Sequence, residues 1–124
     1  FLEAERHPGP SLIIAHSPCI AHGYDLVNSP AQQKRAINSG MWPLYRFDPS
    51  RIDRGESALV LDSGAPKLDV AAYMENEARF RMVELRSPER YAMLVDAARD
   101  AVRQRHALYE QLARIHLPPE KHHG

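Results

Sequence analysis

The chain has 124 residues, with sixteen Lys and Arg against sixteen Asp and Glu, so it carries no formal net charge. That balance points away from nucleic acid or an anionic membrane surface as partner. Its length allows one modest domain. No stretch approaches the ~18 apolar residues of a bilayer span, no secretory leader pattern opens it, and its one cysteine excludes an internal disulfide framework and fits a reducing, cytoplasmic compartment.

In chain order, Phe1 to His7 reads as the last turns of a helix, stopped by Pro8-Gly9-Pro10. Leu12-Ile13-Ile14-Ala15, opened by Gly9-Pro10-Ser11, predicts a buried strand over 11–15. The loop after it holds Cys19, with His16 three residues before and His22 three after. In open parallel sheets, ligands gather just past the carboxyl ends of the strands. Ser29-Pro30-Ala31-Gln32 reads as a capping box with Pro at the first helical position, opening a helix over about 30–39 that ends at Gly40.

Residues 42–47 and 58–61 read as short strands joined by a charged loop, and 11–47 fits a βαβ unit with a right-handed crossover. From Asp69 the period becomes helical. A helix over 70–86 presents Val70, Tyr73, Met74, Ala78, Phe80, Met82 and Leu85. Ser87-Pro88-Glu89 stops it and starts another over 88–114, with Tyr91, Leu94, Ala98, Val102 and Leu108 on one face. Such stripes read as core or subunit contact, and the intervening charges as a solvated face. Lys121-His122-His123-Gly124 reads as a frayed tail rather than a metal site.

Cys19 admits four readings. It is a buried small hydrophobe, as lone cysteines often are; a thiol activated by a histidine base; part of a His16-x2-Cys19-x2-His22 metal site; or a lone ligand to a cluster whose other cysteines lie elsewhere in a larger polypeptide. Spacing does not rank the last three.

Four blocks in order carry a resemblance. The segment from Gly9 to Gly23, the block Ser39-Gly40-Met41-Trp42-Pro43-Leu44-Tyr45-Arg46-Phe47-Asp48-Pro49, the block Leu61-Asp62-Ser63-Gly64-Ala65-Pro66-Lys67, and Tyr73 to Met82 together resemble the C-terminal region of pyruvate:ferredoxin (flavodoxin) oxidoreductases, over residues 1–95. His16, Met41 and Gly64 depart from the usual residues of those blocks, and the last thirty residues carry no family signature.

The resemblance implies an α/β fold. Residues 1–68 would be the C-terminal portion of a thiamin-diphosphate-binding domain with a Rossmann-like parallel sheet, and 69–124 a helical extension. It also implies the reaction of pyruvate with coenzyme A to acetyl-CoA and carbon dioxide, electrons leaving through [4Fe–4S] clusters to ferredoxin or flavodoxin. Cys19 would be one of four thiolates on the cluster nearest the thiamin. His22 would either contribute to the donors around that cluster or pack the loop.

No residue of this stretch is implied as catalytic. The family's diphosphate- and magnesium-binding segment has no counterpart here, so the isolated chain is expected to be inert, and the full-length protein to be a homodimer. The rival reading is a small α/β interaction module that binds a partner through its C-terminal helices, with Cys19 a buried structural residue.

Overall fold

Residues 1–118 are described by a computed structural model of the chain. Helix α1, Leu2–Arg6, is followed by extended chain, where Ser11 Oγ donates to the Ala4 carbonyl at 2.9 Å. The strand expected at 11–15 is not formed. Leu12 and Ile14 are 84% and 65% exposed, and no neighbouring strand offers them a ladder. A parallel strand needs sheet partners and cover on both faces, and the described residues supply neither. The βαβ unit over 11–47 is therefore absent, and the sheet is antiparallel rather than parallel.

Helix α2, Ser29–Asn38, forms where the Ser-Pro signal placed it, with a different cap. Asn28 is the N-cap, preceded by a 3₁₀ turn over Leu26–Asn28 that Asp25 caps through the Val27 amide. Gln32 turns into the core instead of back to a capping box. At the other end Gly40 has φ 72°, and the Gly40 and Trp42 amides donate to the carbonyls of Ile37 and Ala36. This is the left-handed stop that glycine favours. A Cβ at Gly40 would lie 2.8 Å from both Pro66 Cγ and Val102 Cγ1.

Strands β1, Tyr45–Phe47, and β2, Leu59–Leu61, pair antiparallel with Tyr45 opposite Leu61. A lone hairpin is marginal in water. Here the last long helix props it: Ser57 Oγ donates to the Leu112 carbonyl at 3.1 Å, and the Tyr45 and Tyr109 rings lie 5.1 Å apart.

The helix expected over 70–86 is two helices, α3 at Val70–Met74 and α4 at Ala78–Arg86. Asn76 Nδ2 donates to the Ala72 carbonyl, and the Glu77 amide donates to Met74. Asparagine competes for backbone partners in this way and disfavours helix interiors. The break rotates the second half, leaving Met82 and Leu85 exposed. Helix α5, Pro88–Leu112, is continuous and packs on α3 and α4. Its inward face includes Val95, which the expected stripe omitted, while Leu94 and Leu108 are exposed.

The core is Ala36, Val70, Tyr73, Met74, Val95 and Val102, with Trp42, Phe80 and Tyr91 packed against it. It thus draws on both sides of the boundary expected at 68. The tail from Lys121 to Gly124 lies outside the described residues.

Two results are expected of this fold. Asp69 caps α3 through the Ala71 amide at 2.8 Å and also accepts from Arg99; both hold its carboxyl below the usual range, the amide bond more than the arginine. Asp48 is lowered likewise, chiefly by the Ser50 hydroxyl. A carboxylate depressed in the folded state adds stability above its unfolded value and loses it as pH falls through the folded one. Melting temperature should therefore fall on acidification below pH ~4. Asp69→Ala should flatten that slope and cost ~1 kcal/mol at neutral pH, as thermal melts across pH would record. The exposed apolar run at 12–14 should also make the chain on its own associate; a concentration-independent monomer in sedimentation would contradict this.

Candidate functional site

Cys19 is exposed, so it is not the buried hydrophobe of one reading. It is the N-cap residue of a 3₁₀ turn over Ile20–His22, in extended conformation at φ −128°, ψ 138°. The His22 and Gly23 amides donate back to the carbonyls of Cys19 and Ile20 at 3.0 and 2.9 Å. Gly23 closes the turn at φ 72°, which a side chain would strain.

The turn is pinned from the far side of the chain. The Gly23 carbonyl accepts from the Ala78 amide at 3.0 Å, the first amide of α4, and a Cβ at Gly23 would lie 2.5 Å from Ala78 Cβ. Gly23→Ala combines a left-handed backbone with that clash, so a loss of at least ~1–3 kcal/mol is expected in a denaturant titration.

The two histidines do not converge on Cys19. His16 stacks against Trp42, ring centroids 5.1 Å apart. His22 faces Glu77, its Nδ1 4.0 Å from Glu77 Oε2 and buried without a hydrogen bond. Among the described residues no three His, Cys, Asp or Glu side chains are grouped to hold a metal ion. The His16-Cys19-His22 site is therefore not formed.

Behind His22 lies a polar network that the periodicity of 70–86 concealed. Glu77 is 1% exposed. Its Oε1 accepts from Gln32 Nε2 at 3.1 Å and its Oε2 from Arg79 Nε at 2.6 Å. Gln32 Nε2 also donates to the Tyr73 carbonyl, and the Arg79 guanidinium sits 4.5 Å above the Phe80 ring. Burial pushes the Tyr73 phenol up to about 12, with Glu77 adding in the same direction, so it stays a neutral hydroxyl near pH 7. Asn76 in mid-pattern is the one signal in the sequence that could have placed Glu77 inward.

The Cys19 turn exposes a single free thiol at the surface of the described chain. No family model matches the chain. The pyruvate-flavodoxin oxidoreductase of Rhodospirillum rubrum is 55% identical over 113 residues, covering 91% of this chain. The pyruvate:ferredoxin oxidoreductase of Moorella thermoacetica is 35% identical over 113 residues, again 91% of the chain. The chain corresponds to a segment of the pyruvate-flavodoxin oxidoreductase family. It spans 9% and 10% of the length of those two relatives. The family segment also recurs, at 40% identity over 107 residues, in a pyruvate dehydrogenase [NADP(+)] of Cryptosporidium parvum, of which it is 6%. Among its described residues no helix is long and apolar enough to cross a membrane.

Proposed function

We propose that this segment works within a pyruvate:acceptor oxidoreductase and gives one ligand, Cys19, to a [4Fe–4S] cluster. The observation that carries the proposal is an exposed cysteine on an anchored turn, in a chain 55% identical to a segment of such an enzyme. A cluster of this kind takes four thiolates. Cys19, the one cysteine present, is accessible and suits a donor of one, the other three coming from outside the chain. When bound, the cluster would carry single electrons away from the site of pyruvate oxidation.

The reaction of the whole enzyme would take pyruvate and coenzyme A to acetyl-CoA and carbon dioxide, passing two electrons to ferredoxin or flavodoxin. Thiamin diphosphate and magnesium would be held mainly by residues outside this chain, in a thiamin-binding domain that residues 1–68 complete. In the sheet of that domain, the exposed run at 12–14 would find the strand neighbours it lacks here. This reading takes the enzyme as a cytoplasmic homodimer.

The relatives' names cite flavodoxin, ferredoxin and NADP(+) over the same stretch, which favours acceptor choice by residues elsewhere. The deciding measurement is iron per protomer in the full-length enzyme carrying Cys19→Ser. Iron unchanged from wild type removes Cys19 as a ligand. His22→Ala leaves the thiol in place and should therefore lose far less iron than the serine variant.

A further inference from the structure

We infer that Glu77 is a positioning residue for the Cys19 turn, acting through His22 from a buried polar cluster with Gln32 and Arg79. The inference rests on the reading of Cys19 as a cluster ligand and goes beyond it by naming what aims the ligand.

Three contacts join the turn to the Glu77–Ala78 step. The Ala78 amide holds the Gly23 carbonyl, Ala78 Cβ blocks any side chain at Gly23, and Glu77 Oε2 lies 4.0 Å from His22 Nδ1. His22 and Gly23 end the turn that Cys19 begins. The 77–78 step is therefore linked to the cysteine by one 3₁₀ turn with two backbone hydrogen bonds.

Burying a carboxylate is costly, and a buried ion pair is often no more stabilising than apolar side chains of the same volume. Stability alone thus gives little reason for Glu77. What the carboxylate does provide is direction. It takes one hydrogen bond from α2 through Gln32 and one from α4 through Arg79, and presents the rest of Oε2 to His22. Three segments thus meet at this carboxylate, two by hydrogen bonds and the third by the 4.0 Å approach of His22, and the cysteine opens the turn that His22 ends. Outer groups that orient a metal ligand typically change metal retention by 10–100-fold when removed.

The test uses the full-length holoenzyme in four forms: wild type, Glu77→Gln, His22→Leu, and Val102→Ala. Val102 is a core residue away from the turn, packed beside Gly40, and its truncation controls for general loosening. The readouts are the low-temperature EPR line shape of the reduced clusters and the rate at which iron is lost to a chelator.

Glu77→Gln and His22→Leu are expected to alter the line shape of one cluster and to speed its iron loss roughly tenfold, while Val102→Ala leaves both as in wild type. A wild-type spectrum and wild-type iron loss in His22→Leu overturn the inference, even should Glu77→Gln fail to fold. Equal changes in Val102→Ala overturn it too, because the effect is then global. Cys19→Ser separates this failure from that of the underlying reading. If serine leaves iron intact, the ligand assignment itself is wrong; if serine removes a cluster that His22→Leu does not disturb, only the positioning role is.

Discussion

Cys19→Ser in the full-length enzyme is expected to abolish one [4Fe–4S] cluster while leaving thiamin diphosphate bound. A serine hydroxyl is largely protonated at neutral pH and is a harder donor than a thiolate, so it is the poorer partner for iron. The other three ligands of that cluster would come from outside this chain, and so would the groups that hold the diphosphate. Loss should therefore be confined to iron and to what depends on it. Pyruvate decarboxylation should begin and then stall for want of an electron exit. The observable pattern is reduced iron per protomer, wild-type thiamin content, and a first-turnover release of carbon dioxide that is not followed by reduction of flavodoxin or ferredoxin. Full iron with normal acceptor reduction would return Cys19 to a surface residue of no consequence.

Tyr73→Ala should be the most damaging substitution for folding. Tyr73 is 1% exposed and sits in the core beside Val70, Met74 and Val95, on the short helix α3 that joins α2 to α5. Truncating a buried aromatic to alanine removes its transfer energy and leaves a cavity that neighbours fill only in part, at about 3–5 kcal/mol. Small domains have only ~5–15 kcal/mol of total stability, so the variant should lose a large share of it. Tyr73→Phe keeps the ring and removes only the hydroxyl, and should cost no more than ~1.5 kcal/mol. The fluorescence of Trp42, the one tryptophan, reports both through a urea titration. A change in midpoint without a change in slope would assign the loss to the folded state. Equal midpoints for the alanine and phenylalanine variants would show that the ring's burial contributes nothing.

Local signals placed much of this architecture. Pro30 near the start and Gly40 past the end frame α2 to within a residue, because both act through their own backbone: Pro by a fixed φ, Gly by tolerating φ 72°. Pro88 marks the start of α5 for the same reason, and Asp69 that of α3 through its carboxylate on the Ala71 amide. The strand expected at 11–15 does not form in this chain because an apolar run states only that a segment is to be covered, not by what. In the described residues nothing covers Leu12 or Ile14, and no ladder forms.

Asn76 was outvoted by the apolar spacing around it, although its amide ends α3. That one break conceals the polar cluster, since a continuous helix carries no information about Glu77 meeting Gln32, 45 positions away. The cysteine itself was legible because it is the only one. Its anchor was not, because a contact between distant segments leaves no local trace.

The distance along the chain between the turn and its anchor also has a temporal side. Gly23 and Ala78 are 55 positions apart, yet one carbonyl and one amide join them. At about 5–20 residues per second of synthesis, Ala78 is made roughly 3–11 s after Gly23. During that interval the turn lacks the amide that will hold its Gly23 carbonyl. The close approach of Gly23 to Ala78 then acts as a latch in time, closing on the Cys19 turn only once α4 has been made.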